Sequence, residues 1–348
     1  MSLDKTPTSD QIKRVPKALL HDHLDGGLRP ETIIEIAQQI GYKKLPTDDP
    51  KKLADWFEES CNSHSLVRYL ETFSHTIAVM QSKEAIIRVS RECAIDLARD
   101  GVVYAEVRGA PELFTEQGLS LDQVVEATLE GYKQGMAEAA REGNKIRVES
   151  LLCGMRQNDR SQEAAAAVVK YRNKGVVGFD IAGDEAGYPV TAHQKAFEYA
   201  HQKGIPCTAH AGEACGPSSV WDVLNHFHPS RIGHGVRSTE DSQLLTHLRE
   251  KNIHLEVCPS SNLRTNVYSS YAAHVIDKLY KEGISVSVNT DARTVTPVTL
   301  SGEYASIAET FGWTLADFLA CNLQAVDHCF APAAIKEQLR KQLLNSYS

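Results

Sequence analysis

Eight short apolar runs, helical patterns between most of them, and a glycine or asparagine where those helices stop predict an α/β fold. The fold is a (β/α)8 TIM barrel with extra helices in the first crossover and at the C-terminus. The runs are Ala18–Leu20, Val102–Val107, Ile146–Leu152, Val176–Ile181, Pro206–Ala209, Arg231–Ile232, His254–Val257 and Ser285–Val288. Ser82–Arg99 carries Ala85, Ile86, Val89, Cys93 and Leu97 at helical spacing. Leu121–Ala140, Ser161–Lys174, Ala192–Lys203, Thr239–Lys251 and Ala272–Lys281 behave alike. Gly101, Gly143-Asn144, Gly175, Gly204, Asn252 and Gly283 stand at the helix-to-strand junctions, where a helix stop belongs. The first crossover, Pro30–Arg99, has room for two further helices, Glu31–Ile40 and Ser65–Val79. In the second of these, Leu66, Tyr69, Leu70 and Phe73 share a face, which by itself reads as packing onto the barrel. After the last strand, Leu300–Glu309, Thr314–Leu323 and Ala333–Leu344 read as helices. No linker, low-complexity tract or short repeat interrupts residues 1–348, so the chain reads as a single domain.

A net charge of −8 over 348 residues offers no basic footprint for nucleic acid or an anionic membrane. No apolar run approaches the ~18 residues of a membrane span. The eight cysteines are scattered without a Cys-x-x-Cys, which points to reduced thiols and a cytoplasmic protein. The expected partner is therefore a small molecule. Nothing in the sequence sets an oligomeric state.

Barrels of this kind carry their chemistry at the C-terminal ends of the strands. The first run ends in His21-x-His23, and residues i and i+2 of a strand share a face, so both imidazoles reach one point. The fourth runs into Ala182-Gly183-Asp184-Glu185, and the fifth ends in His210-Ala211-Gly212-Glu213. The sixth ends in Gly233-His234-Gly235, the seventh in Cys258-Pro259-Ser260-Ser261-Asn262 and the eighth in Asn289-Thr290-Asp291. His21, His23 and His210 offer three nitrogens and Asp291 an oxygen, the makings of an open, catalytic metal site. Such a metal brings the pKa of bound water toward ~7. Glu213 is placed to act as a general acid, and His234 to hold or deprotonate the nucleophilic water. Gly183 leaves its backbone N–H open to a ligand, and Asp25 can accept hydrogen bonds from a hydroxylated substrate. These roles describe a metal-dependent hydrolase that adds hydroxide to an electrophilic carbon.

The set of motifs resembles the adenosine deaminase family of the amidohydrolase superfamily. His-Asp-His-Leu-Asp-Gly at 21–26, Ala-Gly-Asp-Glu at 182–185, His-Ala-Gly-Glu at 210–213, Ile-Gly-His-Gly at 232–235, Cys-Pro-Ser-Ser-Asn at 258–262 and Asn-Thr-Asp at 289–291 carry the resemblance, in the family's order. It implies one zinc per chain on His21, His23, His210 and Asp291, and hydrolysis of the 6-amino group of adenosine or 2′-deoxyadenosine. It implies that Glu213 protonates purine N1, that His234 orients and helps activate the attacking water, and that Gly183 binds N3. Asp25 would bind the ribose 5′-hydroxyl, favouring a nucleoside over a 5′-phosphate. Leu66, Tyr69, Leu70 and Phe73 would form an apolar gate, reversing the packing reading. The chain departs from the family at Asp291-Ala292-Arg293, where a second Asp commonly contacts purine N7. Ala292 motivates an alternative substrate, a 5′-modified adenine nucleoside such as aminodeoxyfutalosine or another 6-aminopurine. Arg293 is the neighbouring donor that could take the missing Asp's place.

Overall fold

The computed structural model describes residues 5–62 and 66–347, with the backbone alone at 66–70. Eight parallel strands follow the expected runs: β1 Lys17–His23, β2 Val102–Gly109, β3 Arg147–Met155, β4 Val176–Ala182, β5 Thr208–Ala211, β6 Arg231–His234, β7 His254–Val257 and β8 Val286–Val288. They pair in two ladders, β1-β2-β3-β4 and β5-β6-β7-β8. Single bridges, Asp22 to Asp291 and Phe179 to Cys207, close the ring. Nearly every strand residue is buried, as expected where helices cover the outside and side chains fill the inside.

The helices stand where the apolar spacing places them, with differences that local chemistry explains. Pro50–Cys61 in the first crossover is a helix that the apolar spacing did not flag. Asp49 caps it by accepting from the Lys52 N–H, Pro50 opens it, and Leu53, Phe57 and Cys61 face inward. Pro217–Phe227, between β5 and β6, is another; its Gly216-Pro217-Ser218-Ser219 start reads as loop, although Val220, Val223, Leu224 and Phe227 form a buried stripe. The expected Ala272–Lys281 helix is cut to Ile276–Lys281 because His274 is extended and its ring accepts the Ile276 N–H. The helix Leu66–Val79 is present and Phe73 is buried, but the side chains of Leu66, Tyr69 and Leu70 lie outside the described residues. Among the described residues no helix is long and apolar enough to cross a membrane. All eight cysteines are unbridged.

Candidate active site

The strand alternation in β1 sends His21 and His23 into the barrel mouth and Asp22 the other way. The His21 ring is fully buried. Its Nδ1 lies 3.0 Å from Glu256 Oε2. Its Nε2 lies 3.2 Å from Asp291 Oδ1 but makes no hydrogen bond. His23 Nε2 lies 3.1 Å from His210 Nε2 and 3.4 Å from Asp291 Oδ1. His210 is the penultimate residue of β5, with its Nδ1 3.2 Å from Asp180 Oδ2. Asp291 follows β8 and accepts from the Ser261 hydroxyl at 2.6 Å. His234 ends β6; Asn262 Nδ2 donates to its Nδ1 at 3.1 Å, and its Nε2 lies 3.6 Å from Glu213 Oε2. His21, His210, His234 and Asp291 each offer an atom within 4.8 Å of the others. His23 stands outside that mutual set and meets only two of its members at bonding range. His234 and Asp291 both adopt φ of 62°, a left-handed conformation costly for residues with a Cβ, at the two points where the strands hand over to loops.

Burial holds the His23, His210 and His234 imidazoles below the usual histidine range, so they are neutral. His21 goes the other way. Burial and Arg108 oppose a charge there, yet the Asp291 and Glu256 carboxylates on either side raise its pKa. A positive charge is what this point between two carboxylates favours. Burial, with Asp291 and Glu185 nearby, pushes the Glu213 carboxyl well above the carboxylate range. Burial likewise pushes Asp25 up to about 7, and its Oδ1 has no hydrogen-bond partner.

His23, Asp25, His210, Glu213, His234 and Asp291 line a cavity of about 140 Å³. Phe73, Ile77, Leu113, Cys153 and Met155 form its apolar wall, and Gly183 lines it at φ 107°. That φ is the reason glycine is favoured there, since a Cβ would meet only the movable end of the Gln157 side chain. No lysine or arginine lines the cavity among the described residues. Ala292 is buried but not on the cavity wall; it packs under Gly26. Arg293 does not take the place of a purine-binding Asp. Its Nε donates to Asp22 Oδ1 at 2.9 Å and its Nη2 to Cys93 Sγ at 3.1 Å, away from the cavity.

The sequence reading missed the groups that orient these residues. Arg108, fully buried on β2, donates from Nη1 to Asp180 Oδ2 at 2.7 Å and from Nη2 to Glu256 Oε2 at 2.6 Å. One rigid guanidinium thus holds both carboxylates that hold His210 and His21. Glu185 accepts from the backbone N–H groups of Gly212, Glu213 and Cys215 and from the Ser219 hydroxyl, which fixes the loop carrying Glu213. Asp184 only caps its own turn at Ala186 and Gly187. A signal existed for Asp180, Glu256 and Arg108: a charged residue inside a buried strand needs a partner.

A sequence model for a family described as Adenosine deaminase matches residues 16–346. A Streptomyces coelicolor protein named adenosine deaminase 1 is 49% identical over 342 residues, 95% of this chain and 86% of the relative. A Mycobacterium marinum adenosine deaminase is 47% identical over 335 residues, 93% of this chain and 92% of the relative. Among solved structures, an Arabidopsis N6-mAMP deaminase is similar with a TM-score of 0.85 at 28% identity, covering 97% of this chain and 99% of that one.

Proposed function

The chain belongs to the adenosine deaminase family of metal-dependent hydrolytic deaminases, and from that premise we propose that it converts adenosine and 2′-deoxyadenosine to inosine and 2′-deoxyinosine with release of ammonia. The observation that carries the proposal is that imidazoles and a carboxylate converge at a cavity also lined by Glu213, whose carboxyl burial keeps protonated beside His234. We assign one divalent metal, zinc by this donor set, to His21, His23, His210 and Asp291. The fit is supported by the orphaned His21 Nε2 and by the preference for positive charge between Asp291 and Glu256. When bound, the metal supplies a water acidified toward neutral pH.

The chain's own residues do the rest. Glu213 gives its proton to the purine ring nitrogen beside the amino-bearing carbon, and that carbon becomes electrophilic. His234 Nε2 meets the attacking water. The Gly183 N–H binds the pyrimidine-ring edge. Asp25, with an oxygen to spare, receives the ribose 5′-hydroxyl. Phe73 closes the apolar side, and we read its helix as a gate. With no cation on the cavity wall and Asp25 beside the 5′ position, a neutral nucleoside is favoured over a nucleotide. Ala292, the residue that motivated a 5′-modified substrate, does not line the cavity. We read residues 1–348 as a single catalytic domain, and the unbridged cysteines support a cytoplasmic enzyme.

The test is an ultraviolet assay of metal-loaded protein with adenosine, 2′-deoxyadenosine, adenine and AMP. The first two are expected to be turned over. AMP is expected to show a kcat/KM about a hundredfold lower, the scale of a like-charge contact in a partly buried site. Failure on adenosine, or a preference for AMP, would contradict the proposal.

A further inference from the structure

His234 is held from behind by a chain of hydrogen bonds whose directions are all determined. It starts at a backbone N–H, which can only donate: Ile276 N donates to His274 Nδ1 at 3.1 Å. Neutral His274 then carries its proton on Nε2. That N–H faces Asn262 Oδ1 at 3.2 Å, so the amide presents oxygen to His274 and nitrogen to the other side. On that side Asn262 Nδ2 donates to His234 Nδ1 at 3.1 Å. An imidazole that accepts at Nδ1 bears its proton at Nε2. Every member of the chain is buried, so water does not compete for these positions. The amide and hydroxyl ambiguities that usually attend such networks do not arise, because a fixed backbone donor sets the first link.

We propose that His274 and Asn262 are positioning residues that fix His234 as its Nε2–H tautomer, so that His234 donates a hydrogen bond to the attacking oxygen and is not the base that takes its proton; of the water's two protons, one leaves on the ammonia and the other restores Glu213. This rests on the deaminase reading above and narrows the choice between holding and deprotonating the water. It also separates His234 from the metal ligands. Its Nδ1 is engaged by Asn262 and its Nε2 carries a proton, so neither nitrogen offers a lone pair, whereas among the described residues the His23 ring is hydrogen-bonded only at Nε2, to His210, with Asp291 Oδ1 3.4 Å away.

The experiment is nitrogen NMR of protein with labelled histidine rings, beside steady-state kinetics. Wild-type His234 is expected to report a protonated Nε2 and a bare Nδ1. Asn262→Asp puts an acceptor at Nδ1 and is expected to invert the tautomer, with kcat falling roughly 10²–10⁴-fold and KM little changed. His274→Glu inverts the relay from one residue further away: a carboxylate facing Asn262 turns the amide, and kcat should fall in the same way. His274→Gln, which can both accept from Ile276 N and donate to Asn262, is expected to restore near-native kcat. A wild-type His234 found with its proton on Nδ1 would overturn the proposal whatever the variants do. So would an inverted tautomer with undiminished kcat. The ring signals are read without turnover, so failure of the deaminase reading would show separately, as wild-type protein inactive on adenosine.

Discussion

The barrel closes at two places, between β8 and β1 and between β4 and β5, and in each the strand ladder is reduced to a single bridge. At the β8–β1 closure polar side chains replace the ladder. Asn289 Oδ1 accepts from the Leu20 and His21 N–H groups at 2.9 and 3.1 Å, and Asn322 Oδ1 accepts from Ala18 at 2.7 Å. Asp22 takes the Thr290 hydroxyl at 2.7 Å and Arg293. At the β4–β5 closure the outer layer is aromatic: Phe179 meets Phe197 at 4.8 Å between ring centres, and Phe197 stacks on Phe227 at 3.8 Å. The difference follows what each closure carries. His21, His23 and Asp291 flank the polar one, where positions must be set to fractions of an ångström by directional bonds. The apolar one has a single donor to aim, His210, which Asp180 of β4 holds from inside the ring. Backbone groups that leave a ladder need other partners, and here the substitutes also aim the donor atoms.

Asn289→Ala tests that contrast most severely. It orphans two buried N–H groups and is expected to cost roughly 2–6 kcal/mol in denaturant unfolding, with loss of metal affinity because His21 is on the freed segment. Lost stability with native metal affinity would break the distinction. Phe197→Ala is the opposite case. A fall of about 3–5 kcal/mol is expected from the cavity left behind, while metal content and kcat/KM of the folded protein stay native. Arg108 links the two closures through Asp180 and Glu256, and Arg108→Lys keeps the charge without the fork. Chelator competition is expected to show about 10–100-fold weaker metal binding.

The effect that is smallest at neutral pH lies away from both closures, at His274, where burial lowers the pKa from 6.5 to about 3. The unfolded chain binds a proton there that the folded one refuses. Stability from this site is therefore complete above pH 6.5 and is lost as the pH falls toward 3, by roughly 1 kcal/mol per unit. His274→Gln is expected to flatten that limb of a stability–pH curve.

The eight strands and the catalytic cluster were legible because each strand is a short apolar run and each ends in a residue of distinctive chemistry. His21-x-His23 gives a shared face by simple alternation. What stayed hidden acts across the barrel. Nothing local pairs Arg108 with Asp180 and Glu256, or His274 with Asn262 and His234, because those contacts exist only once the ring is closed. Ala292 was illegible for the same reason: its place in the motif suggested a cavity position, and only the folded chain shows it packed against Gly26.

The most direct test of the account is adenosine turnover by wild-type protein and by Glu213→Gln, each at known metal content. Wild-type protein is expected to deaminate adenosine, and the variant, which holds the metal but has no proton to give, to lose at least ~10²–10⁴-fold in kcat. A Glu213→Gln protein as active as wild type would contradict the assignment of Glu213, and with it the reaction proposed for this cavity.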